Sequence, residues 1–190
     1  EMNAEGLREV TNPSEVLISP REQGLSGITL GATLECNRPL ILETQALVSP
    51  TSYGNPQRSS TGYDYKRLTM LLAVMEKRLG VRLSTQDVFL NIAGGLKVQD
   101  TALDLAICSA IYSSFEDKPI TEDVCFIAEV GLGGEIRPVS RIENRITEAA
   151  KLGFKEVYVS KHNLKEKDLR QFDIKINSFA KLSDTFRNLF

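Results

Sequence analysis

A chain of 190 residues has room for one well-filled core and too little for two, so a single globular unit is expected. An apolar share of 42% and a charged share of 25% exclude a disordered chain, and a net charge of −2 excludes a surface that coats nucleic acid all over, leaving only a local basic patch. No apolar run reaches spanning length, the opening EMNAEGLREV lacks the order of a signal peptide, and Cys36, Cys108 and Cys125 are too scattered for disulfides or a zinc site. These features read as reduced core thiols in a cytoplasmic protein without a membrane segment.

Segments rich in Val, Ile, Leu and Thr open the chain at 16–18, 26–36 and 39–48, and they predict an antiparallel meander with a turn at Asn37-Arg38. Alternation through Ile41-Leu42-Glu43-Thr44-Gln45 predicts one buried and one wet face. The polar, Gly/Pro/Ser-rich stretch from Ser49 to Asp64 reads as a working loop. Leu68, Leu71, Leu72, Met75 and Leu79 then form an apolar helix stripe, stopped at Gly80. Residues 87–93 predict a strand. Leu103, Ala106, Ile107, Ala110 and Ile111 predict a second helix capped by Asp100 or Thr101. Residues 124–130 form a buried strand, turned by Gly131-Leu132-Gly133-Gly134 into a hairpin partner over 135–139. Ser140 and Glu143 have the spacing of a capping box for a third helix that Gly153 ends. A strand over 156–160, a weaker one over 173–176 and a helix bearing Leu182, Phe186 and Leu189 close a mixed α+β order without repeats.

Little chemistry is announced. The sequence holds no G-x-x-x-x-G-K-[ST] loop, so this stretch is not expected to hydrolyse ATP alone. The glycines of GLGGEI lead into a strand, which marks a hairpin turn and not a phosphate site. His162 sits in the charged stretch SKHNLKEKD without partners for a triad or metal, and Cys108 and Cys125 fall on apolar faces.

The segments VFLNIAGGLKVQDTALDLAI and FIAEVGLGGEIRPVSRIENRITEAAKLGF, with SPTSYGNPQRSSTGYDYKRLTMLLAVMEKRLG before them, resemble the C-terminal domain of the RadA (Sms) family of DNA-repair proteins over nearly the whole chain. The resemblance implies a Lon proteolytic-domain-like fold, related to the second domain of ribosomal protein S5: a mixed sheet packed with helices. It also implies that residues 1–14 lead in from an upstream ATPase and that 15–190 form the Lon-like domain. Peptidases of that fold use a serine nucleophile and a lysine base. Laying QDTALD and SRIENR on those motifs puts Ala102 at the serine position and Glu143 at the lysine position, so no catalytic residue and no enzyme activity are expected of this stretch. No metal or cofactor is expected either; ATP, Mg and Zn are implied only for the family's upstream domains.

What remains is DNA repair and recombination: a scaffold for a hexameric ring, contact with single-stranded or branched DNA, and RecA recombinase as a partner, all implied by the resemblance. Locally, Arg58, Lys66, Arg67, Lys77, Arg78 and Arg82 face only Asp64 and Glu76, with Tyr53, Tyr63 and Tyr65 interleaved, a pattern suited to single strands. Arg58, Lys66 and Arg67 are the candidate nucleic-acid contacts. The same loop would also serve a subunit interface, and the alternative is a peptide-docking module built on an inactive protease cleft.

Overall fold

The computed structural model describes residues 2–3, 6–7, 14, 18, 24–52, 54–163 and 172–190. Strands β1 (Met2–Asn3) and β2 (Gly6–Leu7) form a small antiparallel ladder. The main sheet contains β3 (Ile28–Glu35), β4 (Arg38–Pro50), β5 (Arg58–Thr61), β6 (Gln86–Ile92), β7 (Val124–Ile127), β10 (Glu156–Ser160) and β11 (Lys175–Phe179). Between β7 and β10, β8 (Glu129–Val130) and β9 (Ile136–Arg137) make a separate hairpin. The seven strands run in the order β11-β10-β7-β3-β4-β6-β5. Only the β3–β4 and β4–β6 pairs are antiparallel; the other four neighbours are parallel. The fold is therefore mixed α/β with a mostly parallel sheet, and the expected meander is confined to β3, β4 and β6. Of the strand expected at 16–18, only Ile18 lies within the described residues.

Helix α1 (Tyr65–Leu79) starts where the side chain of Asp64 accepts the Arg67 amide at 2.7 Å, and ends at Gly80 in the left-handed region, φ 75°. Its predicted stripe is buried at Leu68, Leu71, Leu72 and Met75. A 3-10 turn (Thr101–Leu103) runs straight into α2 (Asp104–Glu116), which is buried continuously from Asp104 to Ile111 and packs against both β3 and β4. Helix α3 (Ile142–Lys151) covers the opposite face, and α4 (Leu182–Leu189) packs beside α1.

Helices on both faces explain why one sequence expectation fails. Residues 41–44 are all buried: Ile41 joins the cluster under α3 with Leu30, Ala32, Cys125 and Val157, whereas Leu42 joins the larger cluster under α1 and α2. Gly31 lets α2 approach, because a Cβ there would lie 2.5 Å from Leu103 Cδ2 and 2.8 Å from Ala106 Cβ. Beyond α3 no helix among the described residues covers the second face, and Leu47 on β4 and Phe89 on β6 are register partners with 58% and 36% of their surface exposed.

Three boundaries also move. The stretch from Ser49 to Asp64 is not all loop, for β5 pairs with β6 at the sheet edge. The strand expected over 124–130 breaks at Ala128, whose amide and carbonyl bond to Ala102 and Leu105 at 3.0 and 3.1 Å and so leave the sheet. The weak strand at 173–176 forms two residues later, over Lys175–Phe179. Among the described residues no helix is long and apolar enough to cross a membrane.

Candidate functional site

The turn that launches α2 gathers two buried arginine–aspartate systems. Asp100 accepts from the amides of Ala102 (3.0 Å) and Leu34 (2.9 Å) and from the Thr33 hydroxyl (3.3 Å), and pairs with Arg145 Nη1 at 2.7 Å. Arg145 is 1% exposed. Its remaining contacts are Nη1 to the Ala32 carbonyl, 2.8 Å, and Nε to the Ser140 carbonyl, 3.1 Å. Burial pushes the Asp100 carboxyl up, but the bonds from Arg145, Ala102 and Leu34 outweigh it and hold the group below its ordinary value.

Asp104, fully buried, takes the second set: the Tyr63 hydroxyl, the Arg67 guanidinium through two nitrogens, and the Val130 amide at 3.0 Å. Arg67 also donates to the Val130 carbonyl at 3.1 Å and lies 3.9 Å from Glu129. Glu129 in turn accepts from Thr101 (2.7 Å) and Arg137 (3.1 Å). The bond to Asp104 raises the Arg67 pKa further, and burial followed by the Asp104 charge pushes the Tyr63 hydroxyl far up. Burial also lifts Asp104 above its ordinary value, against the pull of Arg67, Tyr63 and the Val130 amide. Each oxygen of the two carboxylates thus accepts from at least one internal donor, and the pair locks α1, α2, α3, β3 and β8 to one another. Neither is free to act as an acid–base pair.

Of the sequence-predicted positions, Ala102 is fully buried at the centre of this turn, whereas Glu143 is exposed on α3 beside a groove with Asn144, Thr147, Lys151 and Phe172. Ala102 supplies no nucleophile and Glu143 no amine. The capping box does not form: Arg141, left-handed at φ 53°, stands at the start of α3 without a side-chain cap, and the Ser140 carbonyl is turned to Arg145 instead. Asp100, expected with Thr101 as a cap of α2, caps the 3-10 turn that leads into it, and α2 itself starts after Leu103 without a side-chain cap.

The basic cluster divides. Arg67 is paired with Asp104, and Arg58 donates to the carbonyls of Leu83 (2.6 Å), Gln86 and Gln57, so both guanidinium groups have partners within the fold. Lys66, Lys77, Arg78 and Arg82 remain exposed, and Lys66 and Lys77 lie eleven positions apart, on one stripe of α1 about 16 Å long. Asp64 and Glu76, the acids facing the cluster, are occupied by the backbone amides of Arg67 and Ser84. Tyr65 is exposed, Tyr63 is buried, and Tyr53 lies outside the described residues. His162 is exposed after β10, and among the described residues no group of His, Cys, Asp and Glu could hold a metal ion.

Cys108 and Cys125 are buried, and burial raises both thiols. Cys36 corrects the expectation of core thiols: it is exposed at the β3–β4 turn, where Cys36 and Asn37 both take positive φ (46° and 71°). Arg145 went unremarked in the sequence, although a cation between Ile142 and Ile146 on an apolar stripe was the available signal.

The family model described as ChlI, subunit ChlI of Mg-chelatase, matches residues 66–163, from the first turn of α1 past the end of β10, and the chain belongs to that family. Its relatives include proteins named DNA repair protein RadA. The chain is 52% identical over 164 residues to that of Bacillus subtilis (strain 168), covering 86% of this chain and 36% of the relative. To that of Listeria monocytogenes it is 51% identical over 163 residues, with 86% and 36% covered. To that of Synechocystis it is 52% identical over 161 residues, with 85% and 32% covered. The chain therefore spans about a third of the length of these relatives. The resemblance to RadA proteins holds over most of the sequence. One expectation falls: the absence of enzyme activity expected of this stretch, from the lost serine and lysine, is overturned by the family match, which is to an ATPase-type family named for a subunit of Mg-chelatase.

Proposed function

We propose that the chain serves a RadA-type DNA-repair protein as its Lon-like, DNA-handling part, supporting ring assembly and the processing and branch migration of recombination intermediates. The observation that carries this reading is the identity of about half the positions to proteins named DNA repair protein RadA across 86% of the chain. The helices on both sheet faces fit a Lon-like fold.

DNA contact falls to the exposed stripe of Lys66 and Lys77 with Arg82 beyond it, while Arg58 and Arg67 hold the underlying backbone in place. Such cations bind phosphates and release counterions, giving affinity that falls with salt. Ring assembly has a candidate surface in the open sheet face around Leu47 and Phe89, an apolar pair that a neighbouring subunit would cover. RecA recombinase and branched DNA are the partners this reading carries with it.

The test is light scattering during size-exclusion chromatography, followed by anisotropy of a labelled single strand in the same samples. A hexamer with salt-sensitive binding supports the reading. A monomer that ignores DNA at low salt counts against both parts of it.

A further inference from the structure

At the far end of α1 from Lys66, a groove of about 300 Å³ opens where α1, α2 and α4 meet. Its apolar lining is Leu79, Tyr112, Phe186 and Phe190. The three rings pack on one another at 4.8, 4.8 and 5.8 Å between centroids, with interplanar angles of 61°, 50° and 69°. Arg78, Lys118 and Arg187 stand on the rim, each from a different part of the chain.

We propose that this groove docks a short peptide segment that carries a carboxylate beside a bulky apolar side chain. Charge decides the partner. Lys118 is shared with Glu116 at 3.8 Å and Arg187 with Asp184 at 3.4 Å, whereas Arg78 has no hydrogen bond or ion pair among the described residues. Its stem is nonetheless held, since a Cβ on Gly134 would come within 2.8 Å of Arg78 Cγ, so the hairpin turn fixes where the guanidinium points from. One pre-positioned cation above an apolar floor matches one carboxylate next to one large side chain, and a planar guanidinium suits a carboxylate in particular.

A nucleic-acid strand fits less well. The rings meet at steep angles and pack on each other, which leaves ring edges and no flat platform for successive bases. Two of the three rim cations are also paired with acids, Lys118 with Glu116 and Arg187 with Asp184, which disfavours a continuous phosphate track but leaves Arg78 for a single carboxylate.

The test uses the 190-residue chain and a fluorescein-labelled peptide with one phenylalanine between glutamates, read by anisotropy. Binding is expected, weakened about tenfold or more by glutamine in place of the glutamates, by serine in place of the phenylalanine, or by Arg78→Glu. Arg78 is exposed, so circular dichroism should show that variant folded. Lys66→Glu, which probes the DNA reading, should leave peptide binding unchanged, so the two readings fail separately. Absence of binding overturns the proposal, as does binding indifferent to Arg78→Glu. An oligo-dT strand that competes the peptide off and is itself lost in Arg78→Glu would make the groove a nucleic-acid surface and overturn it equally.

Discussion

Removing Arg145, the buried cation among the described residues, should destabilise the fold strongly. In Arg145→Met the apolar stem is kept, but the Asp100 carboxylate loses its partner, and the carbonyls of Ala32 and Ser140 lose their donor. Stranding one member of a buried ion pair costs about 3–5 kcal/mol, and since the Asp100 side chain is 20% exposed the lower half of that range applies. With a urea slope of about 2 kcal/mol/M, the unfolding midpoint should fall by about 1.5–2 M, followed by far-ultraviolet circular dichroism. Adding Asp100→Asn to Arg145→Met removes the stranded charge and should restore about 1 kcal/mol or more, a coupling that independent sites do not show. A midpoint shift below about 0.5 M for Arg145→Met, or strict additivity in the double variant, would refute the assignment of this pair as the lock between α3 and the α2 turn.

Gly31→Ala should destabilise by about 1–3 kcal/mol in the same urea titration, because the new methyl meets Leu103 and Ala106; an unchanged midpoint would mean that α2 shifts at no cost. In the native protein one thiol, Cys36, should react rapidly with a disulfide reagent, with Cys108 and Cys125 reacting only on unfolding. The acid limb of stability should also report on Asp100. Its folded value lies below the unfolded one of about 3.9, so its contribution is complete above that pH and is lost as pH falls through the folded value. Asp104, raised by burial, runs the other way, stabilising below its unfolded value and losing that contribution as pH rises through its folded one. Asp100→Asn should therefore flatten the wild-type loss of stability below about pH 4, and an unchanged acid limb would remove Asp100 from the explanation.

Periodicity made α1 legible up to its stop, because the apolar stripe and Gly80 point to the same helix; its cap at Asp64 was not read from the sequence. The hairpin at GLGG and the last helix were legible for similar local reasons. Where long-range bonding decides, local pattern fails. Residues 41–44 read as half-wet because Glu43 and Thr44 are polar, yet helices cover both sides of that strand. Ala128 breaks its strand because it bonds to a turn more than twenty residues earlier. Ser140 and Glu143 have the right spacing for a capping box, but the buried guanidinium of Arg145 takes the Ser140 carbonyl and the chain enters α3 through a left-handed Arg141. The basic cluster was legible as composition only. Arg58 and Arg67 look like their exposed neighbours until Leu83, Gln86 and Asp104 are seen to hold them, and no spacing in the sequence announces those partners.

DNA contact through the wet stripe of α1 is tested most directly by reversing its charges. Lys66→Glu, Lys77→Glu and Arg82→Glu together remove three exposed cations whose side chains make no hydrogen bond or ion pair among the described residues. For a labelled single strand, three phosphate contacts make affinity fall about 20-fold between about 50 and about 200 mM salt. The wild type should show at least that dependence, and the triple variant should bind more weakly with its log–log salt slope reduced by about 2. A folded triple variant whose affinity and salt slope match the wild type would contradict the placement of DNA on this face.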